Sequence, residues 1–193
     1  MLQALWEGDA DIAVLTESHL RDEDIFEYLE DGVTKNIKLN VSPYRVVNWH
    51  NRENMEMQRS GGVLIIARMG IDFTNVPQTR LPVEPLSCCS VRVHAIDGVG
   101  SPFRLTGLYI PPPPTAKMNA QFLESLTCDD ELDFYGEERL NHIICGDFNP
   151  PSWSEMYDIS MAESGLFDLS DPSVPTFPSG NSLDRFKART PCF

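Results

Sequence analysis

Basic residues are scarce in this chain. Fifteen Lys and Arg stand against 29 Asp and Glu, a net charge of −14. Proteins that grip phosphate backbones draw much of their affinity from Lys and Arg, so this chain on average repels polyanions. A nucleic-acid role would need a local site, a metal ion or a basic partner domain. Paired cysteines are missing too. Cys88, Cys89, Cys128, Cys145 and Cys192 form an odd, irregular set without a CxxC pair, which excludes an encoded zinc site or disulfide framework. That usage fits a reducing, intracellular compartment, and Cys145 reads as a small core residue. No apolar run approaches the roughly 20 residues that a membrane-spanning helix requires. The opening "MLQALWEGDADIAVL" lacks the basic start and small-residue cleavage site of a secretory signal. There is no internal repeat, and "PPPP" at 111–114 is the only low-complexity stretch.

What remains is a globular composition, with 41% hydrophobic and 23% charged residues over 193 positions, enough for one domain with a real core. Strand-like runs alternate with helix-like ones. "DIAVLTE", "YRVVNW", "GGVLIIAR", "SVRVHAI", "FRLTGLYI" and "HIICGDF" read as strands, and "SLDRF" begins a final one. In "SVRVHAI" the alternation puts Val91, Val93 and Ala95 on one face and Arg92 and His94 on the other. "LQALWEG", "RDEDIFEYLED" and residues 116–139 read as helix or helical turn, and the prolines from Pro111 to Pro114 must stop the strand before them. Packed sheets with helices between some strands give an α/β or α+β domain.

Polar residues recur where the apolar runs end: Glu17, Tyr109, Asp147, Asn149 and Asp184. Strand ends are where such sheets carry their sites. In "GDFN" an extended backbone would turn Asp147 and Asn149 into one cleft and Phe148 into the core. An Asp there can take a proton from water or hold a metal, and the amide of Asn149 can donate to a phosphate oxygen without adding negative charge. Gly, Asp, Asn and Pro are also turn formers, so a plain strand-end turn weighs evenly against that reading. Glu17 suits a hard cation such as Mg²⁺, which binds through one or two carboxylates. Taken singly, Glu17 is as well a surface residue, Tyr109 a packing residue, and Asp184 a solvated hairpin acid.

Together "LTESHL", "RSGGVLIIAR", "LTGLYIPPP", "IICGDFN", "PTF" and "NSLDRF" resemble, in order, the motifs of the endonuclease/exonuclease/phosphatase superfamily. They look most like the apurinic-type endonuclease domain of non-LTR retrotransposons, over residues 11–186. The resemblance implies a single four-layer α/β sandwich over 1–193, with two packed mixed sheets and helices outside. It implies a nuclear, Mg²⁺-dependent (or Mn²⁺-dependent) phosphodiesterase that nicks target DNA to prime a reverse transcriptase domain. Residue by residue it makes Glu17 the metal ligand. Asp147 activates the attacking water, and Asn149 and Tyr109 bind the scissile phosphate. Asp184 matches the acid that orients a catalytic histidine in the family.

Two family elements have no counterpart: an opening strand bearing Asn and a closing Ser-Asp-His strand. His19, His50 (in a loop), His94 and His142 (at the start of a strand) each read as structural or solvated, not as substitutes. The expectation is a domain truncated at both ends, aggregation-prone and at most trace-active. Two alternatives therefore stand beside the endonuclease: an inactive or degenerate copy, and a phosphatase acting on a phosphorylated lipid or small molecule.

Overall fold

The computed structural model describes residues 10–28, 35–39, 41–50, 61–76, 87–95, 102–111, 141–149, 166–168 and 184–189. In chain order these form β1 (Ile12–Thr16), α1 (Asp22–Ile25), β2 (Phe26–Tyr28), β3 (Lys35–Ile37), β4 (Tyr44–His50) and β5 (Val63–Arg68). Then follow β6 (Asp72–Val76), β7 (Ser87–Ala95), β8 (Phe103–Tyr109), β9 (Asn141–Asp147), β10 (Leu166–Asp168) and β11 (Asp184–Arg189). Expected helices at 2–8 and 116–139 lie outside the described residues.

Two sheets pack face to face. One has the order β1-β5-β4 and is antiparallel throughout; the other has the order β10-β11-β9-β8-β7-β6. The second is mixed, because β8 and β9 run parallel while its other pairs are antiparallel. The expectation of a packed-sheet α/β sandwich holds, although only one of the two sheets is mixed among the described residues.

The strand alternation builds two cores from one sheet. On β5, Val63, Ile65 and Ala67 face the large sheet and meet Cys89, Val91, Val93, Leu105 and Tyr109. Leu64 and Ile66 face outward and pack with Ile25, Phe26, Val41, Tyr44 and Val46. On β4, alternation puts Val46 in the outer core and Val47 in the inner one. A bulge between Val46 and Asn48 then resets the register so that Trp49 packs with the outer core. Gly107 sits at the tightest crossing. A Cβ there would stand 2.7 Å from Cγ1 of both Val14 and Val63, so glycine is what lets β8 approach β1 and β5.

The acidic run read as one helical piece divides. Among its described residues only Asp22–Ile25 is helical, with the Arg21 backbone N–H donating to Asp24 Oδ2 at 2.8 Å, and Phe26–Tyr28 pairs antiparallel with Lys35–Ile37. Packing explains the switch. Ile25 and Phe26 are both buried, and the Phe26 ring lies 4.4 Å from that of Trp49 at an interplanar angle of 59°. His50, expected in a loop, ends β4 instead. Strands β3, β6 and β10 carry no strand pattern in the sequence; they are short or poor in apolar residues, and pairing with a neighbour defines them. Among the described residues, no helix is long and apolar enough to cross a membrane.

Candidate active site

Parallel pairing of β8 and β9 brings their C-terminal ends together, with Tyr109 opposite Asp147. Register extends the row in both directions: Ser87 lies opposite Tyr109, and Asp184 opposite Asp147. Ile143 and Cys145 pack into the inter-sheet core, so two-residue alternation directs Asp147 toward the same side as Tyr109. Glu17 reaches this row from the facing sheet.

The Tyr109 hydroxyl donates to Glu17 Oε1 at 2.7 Å. The two partners differ in setting: Tyr109 is 2% exposed and part of the inner core, whereas Glu17 is exposed. A buried phenol thus anchors a carboxylate that faces solvent. The Glu17 backbone is left-handed, with φ of 50°, and His19 has φ of 51°. Two backbone bonds hold that turn in place, from Ser18 N–H to the Gly62 carbonyl at 3.4 Å and from His19 N–H to the Gly61 carbonyl at 3.2 Å. Gly62 N–H in turn donates to the buried Ser87 Oγ at 3.2 Å.

On the other arm the strand stops at Asp147. Asn149 is left-handed with φ of 38°, and its N–H donates to Asp147 Oδ1 at 2.9 Å, which closes a turn around the carboxylate. Asn149 Nδ2 donates to the Ile110 carbonyl at 2.7 Å, and Ile110 N–H donates to the Asp147 carbonyl at 2.9 Å. The extended "GDFN" reading needs correction here, because the turn, not alternation, sets Asn149. Phe148 does turn into the core, at 1% exposure. The turn and the site are the same feature, since the turn fixes the direction of the Asp147 carboxylate.

Gly146 makes that close approach possible. Its φ is 145°, and a Cβ would collide with the Leu108 carbonyl. Among the described residues, the non-glycine positions with positive φ are Glu17, His19 and Asn149, all in this region. Such backbone strain collects at functional sites.

The structure thus brings Glu17, Tyr109, Asp147 and Asn149 together and places Asp184 beside them by register. Ser87 stands outside every quoted motif, whereas Gly61 and Gly62 belong to "RSGGVLIIAR" without a role assigned to them. The double glycine before "VLIIAR" was a usable signal; Ser87 had none. His142 lies away from the row, buried and bonded to Thr106. Among the described residues no three His, Cys, Asp or Glu side chains converge as a metal cage. Mg²⁺ does not need one, since it binds through one or two carboxylates and keeps several waters. Glu17 keeps lone pairs beyond the one that Tyr109 uses, and carboxylate oxygens are the hard donors that Mg²⁺ takes, so this residue fits such an ion.

No protein-family model and no curated protein matches the sequence. Solved structures do match the fold. The human Nocturnin catalytic domain with bound sulfate aligns at a TM-score of 0.64 and 14% identity, covering 97% of this chain and 72% of that one. A mannosyl-6-phosphatase of Bacteroides thetaiotaomicron aligns at 0.59 and 16%, covering 98% and 75%. An endonuclease/exonuclease/phosphatase family protein of the same bacterium aligns at 0.55 and 17%, covering 97% and 70%. TDP2 of D. rerio, complexed with a single-strand DNA product, aligns at 0.54 and 14%, covering 97% and 74%. Two packed sheets, matched over nearly the whole chain to these structures, give this protein the fold of the endonuclease/exonuclease/phosphatase proteins.

Proposed function

We propose that the chain is a divalent-metal-dependent phosphodiesterase acting on DNA. It is the endonuclease domain of a non-LTR retrotransposon, which works in the nucleus and nicks target DNA to supply a 3′ hydroxyl to a reverse transcriptase domain. One observation carries the reading: an exposed carboxylate on one sheet and a turn-bound carboxylate and amide on the other meet at a single strand-end row. The motif order in the sequence supports the retrotransposon branch, and a protein of the same fold holds a DNA product.

In this reading Glu17 holds Mg²⁺ or Mn²⁺, which when bound supplies positive charge against the phosphate and the leaving oxygen. Asp147, oriented by the Asn149 N–H, accepts the proton of the attacking water. The Asn149 amide, which donates to the Ile110 carbonyl, turns to a phosphate oxygen when substrate enters. Asp184, opposite Asp147, stays near the proton-accepting end of the site.

A second reading has one observation in its favour. The net charge of −14 opposes a long polyanion more than a small one, which fits a phosphatase for a phosphorylated lipid or small molecule. Assaying supercoiled plasmid and a panel of phosphomonoesters with Mg²⁺, beside Asp147→Ala as the contamination control, separates the two. Nicking lost in the control supports the endonuclease. Phosphomonoester turnover without nicking supports the phosphatase, and neither activity leaves an inactive copy.

A further inference from the structure

We infer that Tyr109 is a positioning residue for the cation-binding carboxylate of Glu17, and that it does not contact the substrate phosphate directly. The inference rests on the reading that Glu17 binds a divalent cation.

A phenol has one proton to donate, and Tyr109 gives it to Glu17 Oε1 at 2.7 Å. To donate to a phosphate oxygen it would have to release that carboxylate. Its ring is locked in the inner core at 2% exposure among Val63, Ile65, Cys89 and Leu105, so the hydroxyl has little freedom to swing toward a ligand in solvent. Glu17, by contrast, is exposed and carries a left-handed backbone. An exposed glutamate samples many rotamers unless something holds it, and holding it before the cation arrives removes that entropy from the binding step. The same row holds the Glu17 backbone as well. Ser87, opposite Tyr109, accepts the Gly62 N–H, and the Gly62 carbonyl accepts the Ser18 N–H. Side chain and turn are thus both fixed from two adjacent strands. Groups that orient metal ligands in this way typically contribute 10–100-fold to metal affinity.

Calorimetric titration of Mn²⁺ into wild type, Tyr109→Phe and Glu17→Gln tests the inference without an activity assay. Phe keeps the ring and removes only the hydroxyl. The expected result is at least tenfold weaker Mn²⁺ binding in Tyr109→Phe, no measurable binding in Glu17→Gln, and wild-type affinity for inorganic phosphate when Tyr109→Phe is saturated with Mg²⁺. Wild-type Mn²⁺ affinity in Tyr109→Phe together with weakened phosphate binding would overturn the positioning role. Unchanged Mn²⁺ binding in Glu17→Gln would instead overturn the underlying assignment of Glu17. Should Tyr109→Phe fail to fold, the near-ultraviolet tyrosine signal of wild type decides. Mg²⁺ should perturb it, Glu17→Gln should abolish the perturbation, and a silent signal in wild type would count against the inference.

Discussion

Strands β7, β8 and β9 carry two polar groups that differ in what they face and in the backbone beside them. At their ends stand Ser87, Tyr109 and Asp147, facing the other sheet. Further along these strands, on the opposite face, Ser90 Oγ lies 2.7 Å from Thr106 Oγ1, which lies 2.8 Å from His142 Nε2. This second group is buried, at 1%, 3% and 9% exposure, and sits on regular strand backbone. Ser87 and Tyr109 in the first group are buried too, at 0% and 2%, but this group meets the exposed Glu17 carboxylate of the facing sheet and adjoins left-handed residues. Hydroxyls that satisfy each other across register stabilise a sheet. The Glu17 carboxylate, raised to a solvent-facing rim by a strained turn, can still accept a ligand. The difference separates structural polarity from a site without appeal to residue type.

The largest expected effect falls on the rim. Asp147→Ala should lower phosphodiester hydrolysis about 10³-fold, within the range for removing a positioned proton acceptor. The melting temperature should hardly move, and a rate equal to wild type would erase the contrast. Gly146→Ala tests the close approach beneath that rim. A Cβ meets the Leu108 carbonyl and φ is 145°, so urea denaturation should show a loss of ~3 kcal/mol. A loss under about 0.5 kcal/mol would mean that β8 and β9 can part without cost. On the buried side, Thr106→Val strands two partners and should cost about 1–3 kcal/mol while leaving Mn²⁺ affinity unchanged. A change in Mn²⁺ affinity would join the two groups that the structure keeps apart.

The smallest effect concerns Cys145, between the two groups on β9. Burial pushes its thiol from the ordinary 9.0 up to about 12. The folded state therefore keeps a proton that the unfolded chain loses. The resulting stabilisation is complete below pH 9.0 and is lost as pH rises toward 12. Denaturation of wild type and Cys145→Ala across that window should show wild type falling more steeply. At neutral pH the native thiol should resist alkylation until the chain unfolds.

Much of the sandwich was legible in advance, because strand alternation is a local property. Val91 and Val93 facing inward, the buried run "VLIIA" and the strand ending at Asp147 all follow from side-chain period and residue type. The strand ends also marked Glu17, Tyr109, Asp147 and Asn149 as candidates. Strands such as β6, reading "DFTNV", carry no such pattern and exist because β7 offers them a partner.

What the sequence determined by itself was therefore which residues could line a site and which faces had to be buried. Only the tertiary structure decided how those residues meet. Glu17 and Tyr109 are 92 positions apart and share a proton because two sheets pack with Gly107 at their crossing. Asp147 stands beside Tyr109 because β8 and β9 are parallel, a pairing that no local pattern encodes. Ser87 acquired its role only when the Gly62 N–H arrived from another strand. Contacts distant in sequence depend on the packing of the whole chain, whereas periodicity depends only on its neighbours.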